Sequence, residues 1–158
     1  MIKMAKCYQL IGVPGAGKST WIKNQDWAMS CAHISTDKYV DAYAKEVGKT
    51  YLEVFDEFMP KAVKLMADEV VLAREHGRDI IWDQTSTTVD SRIRKFNMLP
   101  DYEHIAVVFM THTDIKELSR RLRSRPGKTI PGEVITSMIN NFVIPSEEEG
   151  FMEIRYVD

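Results

Sequence analysis

The run Gly12-Val13-Pro14-Gly15-Ala16-Gly17-Lys18-Ser19 constrains the fold more than any other part of the sequence. It has the form G-x-x-x-x-G-K-[ST] and lies between an apolar run, Cys7 to Ile11, and a stretch suited to a helix. Glycines let successive backbone N–H groups turn inward into a concave anion site, and the helix beginning near Lys18 adds the positive end of its dipole. The pattern therefore predicts a buried strand entering the loop and a helix leaving it.

Similar apolar runs recur at Ala32 to Ser35, Asp79 to Trp82 and Ile105 to Met110, with Phe151 to Val157 as a candidate fifth. The first four are nearly unbroken and end in polar residues, as strands buried on both faces do. Helical patterns fill the gaps. Phe55, Met59, Ala62, Met66, Val70 and Ala73 form one stripe ending near Gly77, with Pro60 at its start or at a kink. Thr113 or Asp114 caps a further helix, and Pro131 suits the first turn of the last. The expectation is a three-layer α/β fold with a central parallel sheet and helices on both faces. At 158 residues and 44% hydrophobic, the chain fits one domain over 1–158.

A loop of this kind holds the phosphates of a nucleoside triphosphate. Gly12, Pro14, Gly15, Ala16, Gly17, Lys18, Ser19 and Thr20 are the candidate ATP-binding residues, with Lys18 reaching the β- and γ-phosphates and Ser19 ligating Mg²⁺. In such sheets the carboxyl ends of the strands form the ligand crevice, so Asp37 and Asp83 converge on Lys18. Asp37 follows the second strand and is either the base that accepts an acceptor's proton or a cap on the next helix. Asp83 meets solvent at the top of the third strand, where it holds either Mg²⁺ or substrate. Thr85 lies in the polar loop behind it, whose hydroxyls contact a ligand or cap the helix carrying Arg92 and Arg94. Arg120, Arg121, Arg123, Arg125 and Lys128 form either a solvated helix terminus or a lid at about 121–130, with Arg125 best placed at its turn.

The formal charge of −2 argues against coating nucleic acid by bulk electrostatics, so any such contact is local, and Lys38, Arg92, Arg94 and the 120–128 segment are the cations expected to line its path. Cys7 and Cys31 lack metal or disulfide spacing and read as buried free thiols suited to a reducing cytoplasm. No stretch approaches the roughly 20 apolar residues of a spanning helix, so no membrane partner is expected.

Gly12 to Trp21, Ile34-Ser35-Thr36-Asp37-Lys38-Tyr39, Trp82-Asp83-Gln84-Thr85, and Arg125-Pro126-Gly127-Lys128-Thr129-Ile130-Pro131 with Ser137-Met138 together resemble the kinase domain of phage polynucleotide 5′-hydroxyl kinases. The resemblance implies a P-loop kinase fold, ATP and Mg²⁺ as cofactors, and a nucleic-acid 5′ end as acceptor. It also implies that Asp37 is the general base, that Arg125 steadies the transferring phosphoryl group, and that the Asp83-like residue supports the site. Two features depart from the family. Val40 stands where the family has an arginine that grips the acceptor's phosphate, and the chain has no Asp-x-Asp-Gly-Thr phosphatase motif, so no 3′-end repair is expected. The rival readings are a kinase of a nucleoside, another small alcohol or a hydroxymethylated base in DNA, and a nucleotide-binding switch without an acceptor. Against the switch, the chain lacks an Asn-Lys-x-Asp guanine motif.

Overall fold

A computed structural model describes residues 3–125 and 130–157. In chain order the elements are β1 (Lys6–Ile11), α1 (Lys18–Lys23), β2 (Ala32–Ile34), α2 (Asp37–Val47), α3 (Tyr51–Glu75), β3 (Ile80–Trp82), α4 (Val89–Met98), β4 (Glu103–Phe109), α5 (Ile115–Arg123), α6 (Gly132–Asn140) and β5 (Glu153–Val157). Short 3-10 turns lie at Asp26–Ser30, Thr111–Thr113 and Glu147–Glu149. The strands form one five-stranded sheet in the order β2-β3-β1-β4-β5, and every neighbouring pair is parallel.

Alternation along β1 shows why helices are needed on both faces. Tyr8 and Leu10 face one layer with Ile81, Val107 and Phe109, covered by Trp21 of α1, Leu118 of α5 and Ile135 of α6. Cys7 faces the other, with Ile80 and Trp82 against Met66, Val70 and Ala73 of α3. Both cysteines are free and buried, as their spacing indicates. Among the described residues no helix is long and apolar enough to cross a membrane.

The long helix begins earlier than its apolar stripe suggests. Thr50 and Glu53 form a capping box, so α3 runs 25 residues from Tyr51, and Pro60 lies inside it. Pro60 and Asp56, four residues before it, are both exposed, which leaves the carbonyl that loses a donor on the solvent side. Asp114, and not Thr113, caps α5 by accepting from the Glu117 backbone N–H at 3.2 Å. Thr88 caps α4 in the same way.

A buried polar pair ties β1 to β4. His104 Nε2 lies 2.9 Å from the Leu99 carbonyl, which can only accept, so His104 Nδ1 accepts from Gln9 Nε2 at 3.0 Å. Burial lowers the His104 pKa, and that of His112 moves the same way. The unfolded chain therefore takes up protons near pH 6.5 that the folded chain resists, and this stability is present above that pH and lost below it. Urea midpoints should fall between pH 7.5 and 5.5, and the fall should be shallower in His104→Gln. An unchanged slope in that variant would remove His104 from the account.

Candidate active site

β1 lies between β3 and β4, so the chain leaves β1 at the point where the strand order reverses, the place where open α/β sheets bind ligands. The glycine loop sits there and is held from several sides. The Gly12 backbone N–H donates to the Thr85 carbonyl at 2.9 Å, and the Thr111 hydroxyl donates to the Ala16 carbonyl at 3.0 Å. Gly15 and Gly17 take φ values of 81° and 106°, which L side chains rarely adopt. The space is closed as well: a Cβ on Gly12 would meet Phe109 Cβ at 2.9 Å, and one on Gly15 would meet Leu122 at 3.1 Å. α1 is only six residues long, so the loop's own N–H groups and the surrounding cations carry more of the anion affinity than its dipole.

Among the described residues, three cations converge on the loop. The Lys18 ammonium folds inward and donates to the Gly12 and Val13 carbonyls at 2.7 and 3.2 Å. Its enclosure pushes the pKa down to about 8, against the opposing fields of Asp83 and Asp37. Arg125 contributes to that depression, and its Nη1 is buried without a hydrogen-bond partner among the described residues. Arg121 completes the set, with its Nη1 3.1 Å from where a Cβ on Gly17 would stand. Its Nε donates to Glu117 at 2.9 Å, a fork that leaves other N–H groups over the loop. A buried guanidinium nitrogen with no partner among the described residues, beside a desolvated ammonium, suits a polyanion such as a triphosphate. Arg121 is half-buried against the loop, whereas Arg120 and Arg123 are exposed.

The carboxylates approach the same point from two strands. Asp37 opens α2 without capping it: its backbone N–H donates to Ser35 Oγ at 3.1 Å, and its Oδ1 accepts from the Tyr51 hydroxyl at 2.6 Å. Asp83 follows β3 and accepts from His33 Nε2 at 2.9 Å. Among the described residues there is no cluster of three acidic, histidine or cysteine side chains suited to a metal. The exposed Ser19 hydroxyl with the single carboxylate of Asp83 nevertheless fits Mg²⁺, which takes one or two protein ligands and completes its shell with phosphate oxygens and water. Thr85 serves the loop through its carbonyl, and Thr20 is exposed beside Ser19.

Two positions singled out in the sequence lie away from the crevice. Val40 is fully buried between α2 and α3 with Ala44, Val54 and Ala62, so its side chain faces the helix interface. Arg92 is also fully buried, forked onto Glu149 and donating to the Ser86 and Val143 carbonyls, and it cannot line an acceptor path. Lys38 is paired with Glu69, and Arg94 is exposed. Of the segment expected to form a lid, residues 126–129, including Lys128, lie outside the described residues.

Residues 9–145 match the family described as AAA domain, AAA_33. The chain belongs to that family. It is a P-loop domain of kinase type. It is 30% identical over 158 residues to a protein of Acanthamoeba polyphaga mimivirus provisionally named a bifunctional polynucleotide phosphatase/kinase. That similarity covers 94% of this chain and 32% of the mimivirus protein, so the chain spans about a third of its relative's length. Among solved structures, a protein of Chloroflexus aurantiacus J-10-fl provisionally named a kinase aligns over 100% of this chain and 87% of its own, with TM-score 0.75 and 17% identity. A chain in the Pnkp1/Rnl/Hen1 RNA repair complex aligns over 89% of this chain and 45% of its own, with TM-score 0.66 and 19% identity. A sugar kinase of Janibacter sp. HTCC2649 aligns over 99% and 86%, with TM-score 0.61 and 14% identity. These structures share the domain's fold, a parallel sheet with helices on both faces.

Proposed function

We propose that this domain transfers the γ-phosphate of ATP to the 5′-hydroxyl of DNA or RNA. The observation that carries the reading is Asp37, a carboxylate at the crevice that caps nothing and lies in the field of the phosphate-loop lysine. The acceptor oxygen attacks the γ-phosphorus as the bond to the β,γ-bridging oxygen breaks; ADP keeps that electron pair, and the acceptor's proton passes to Asp37. Lys18, Arg121 and Arg125 hold the phosphates and neutralise charge on the transferring group. Ser19 and Asp83 would hold Mg²⁺, which when bound draws charge from the β- and γ-oxygens. The polynucleotide as acceptor is supported by the ordered resemblance from Gly12 to Met138 and by the mimivirus relative's name.

One observation favours a second reading, a kinase of a nucleoside or other small alcohol. Val40 is buried, Arg92 is buried, and Lys38 is engaged by Glu69, so none of the three stands as an unpaired cation for an acceptor phosphate. A polynucleotide acceptor should therefore be held through few phosphates, with a shallow salt dependence. The test compares kcat/KM for a 5′-hydroxyl oligonucleotide, a nucleoside 3′-monophosphate and the bare nucleoside at matched salt. The oligonucleotide should lead, and a bare nucleoside that equals or exceeds it would transfer the assignment to the small-alcohol kinase.

A further inference from the structure

The turn between α2 and α3 is built with unusual care for a surface connection. α2 stops at Gly48, whose φ of 69° supplies the left-handed end, and α3 starts three residues later, at Tyr51, on the Thr50 and Glu53 capping box. Val40 and Ala44 pack against Val54 and Ala62 and lock the two helices together. This fixes the first residue of α3, Tyr51, directly over the first residue of α2, Asp37. The phenol O–H donates to Asp37 Oδ1 at 2.6 Å, and the Phe55 ring backs the tyrosine with centroids 5.5 Å apart.

Resting on the kinase reading above, we infer that Tyr51 is a positioning residue for the base: by occupying Asp37 Oδ1 it holds the carboxylate and presents Oδ2 to the acceptor hydroxyl. A carboxylate at a helix start would otherwise swing toward the orphan backbone N–H groups of the first turn. With Oδ1 taken, the acceptor's O–H has one oxygen to approach, and the proton released as the O–P bond forms is received there. Tyr51 itself keeps its proton throughout. Burial, followed by the Asp37 hydrogen bond, raises its pKa, so it remains a donor and does not compete as base. The charge of Arg125 acts on both Tyr51 and Lys18, which places the phenol within the same electrostatic site as the phosphate loop.

Tyr51→Phe removes the hydroxyl and keeps the ring. It should lower kcat by about 10- to 100-fold while the KM for ATP and the melting temperature stay near those of the parent. In an Asp37→Asn background the same change should alter kcat by less than about twofold, because the group it positions is gone. Rates are taken on whichever of the three acceptors the parent phosphorylates fastest. Failure of the polynucleotide reading then shows in the parent's ranking, and failure of this inference shows in the ratio of variant to parent. The inference is overturned if Tyr51→Phe keeps kcat within about twofold, or if it slows Asp37→Asn by the full single-variant factor. A parent that phosphorylates none of the acceptors overturns the kinase reading and this role together.

Discussion

Replacing Lys18 by methionine is expected to lower phosphoryl transfer by about 10³-fold or more and to leave the melting temperature unchanged or higher. The two halves of this expectation share one cause. The ammonium is enclosed among loop carbonyls, and its pKa of about 8 shows that the fold holds this charge at a cost. Methionine keeps the length and the apolar stem of lysine and removes that cost, so no cavity opens. A triphosphate reverses the sign: the same charge, already desolvated, then faces the β- and γ-oxygens, where electrostatic attraction is strongest. Single-turnover transfer and thermal melting of the purified variant check both halves. Near-parental turnover would remove Lys18 from the phosphate site, and a large loss of melting temperature would make it a structural residue.

The parts of this site legible in the sequence are those set by local chain chemistry. The glycine loop needs left-handed backbone at Gly15 and Gly17, and the buried strands need unbroken apolar runs, so both leave a direct mark. What leaves no such mark depends on partners distant in sequence. Arg92 reads as one of the cations lining a path for the acceptor, yet its guanidinium is buried against Glu149, 57 positions away. By resemblance the family's acceptor-gripping arginine falls at position 40, where this chain has a valine, and the α2–α3 hairpin makes that valine core. Arg121 lies over the loop because Leu118 and Leu122 seat α5 on Gly15, a register that a run of arginines does not display. One further mark is local: Thr50-Tyr51-Leu52-Glu53 is a capping-box sequence, and the start of α3 that it sets is where Tyr51 meets Asp37.

Asp37→Asn separates chemistry from architecture because asparagine reproduces nearly every structural service of the aspartate. It starts a helix well, it is isosteric, and its side-chain oxygen can still accept from the Tyr51 hydroxyl that Asp37 Oδ1 now accepts at 2.6 Å. The Ser35 contact is made by the backbone N–H and is untouched by the change. What asparagine lacks is a second oxygen able to take a proton from an attacking alcohol; in its place stands an amide that can only donate. The expected result is a fall in kcat of about 10²-fold or more, with the KM for ATP and the melting temperature close to those of the parent. Slow ATP hydrolysis without acceptor should survive, since that reaction does not draw a proton from an alcohol. A residue whose work was to hold α2 in place would give the opposite pattern, a lowered melting temperature with kcat preserved in the folded fraction. Measuring acceptor-dependent transfer, acceptor-free hydrolysis and melting on one preparation distinguishes the two, and undiminished transfer by the asparagine variant would exclude Asp37 as the base.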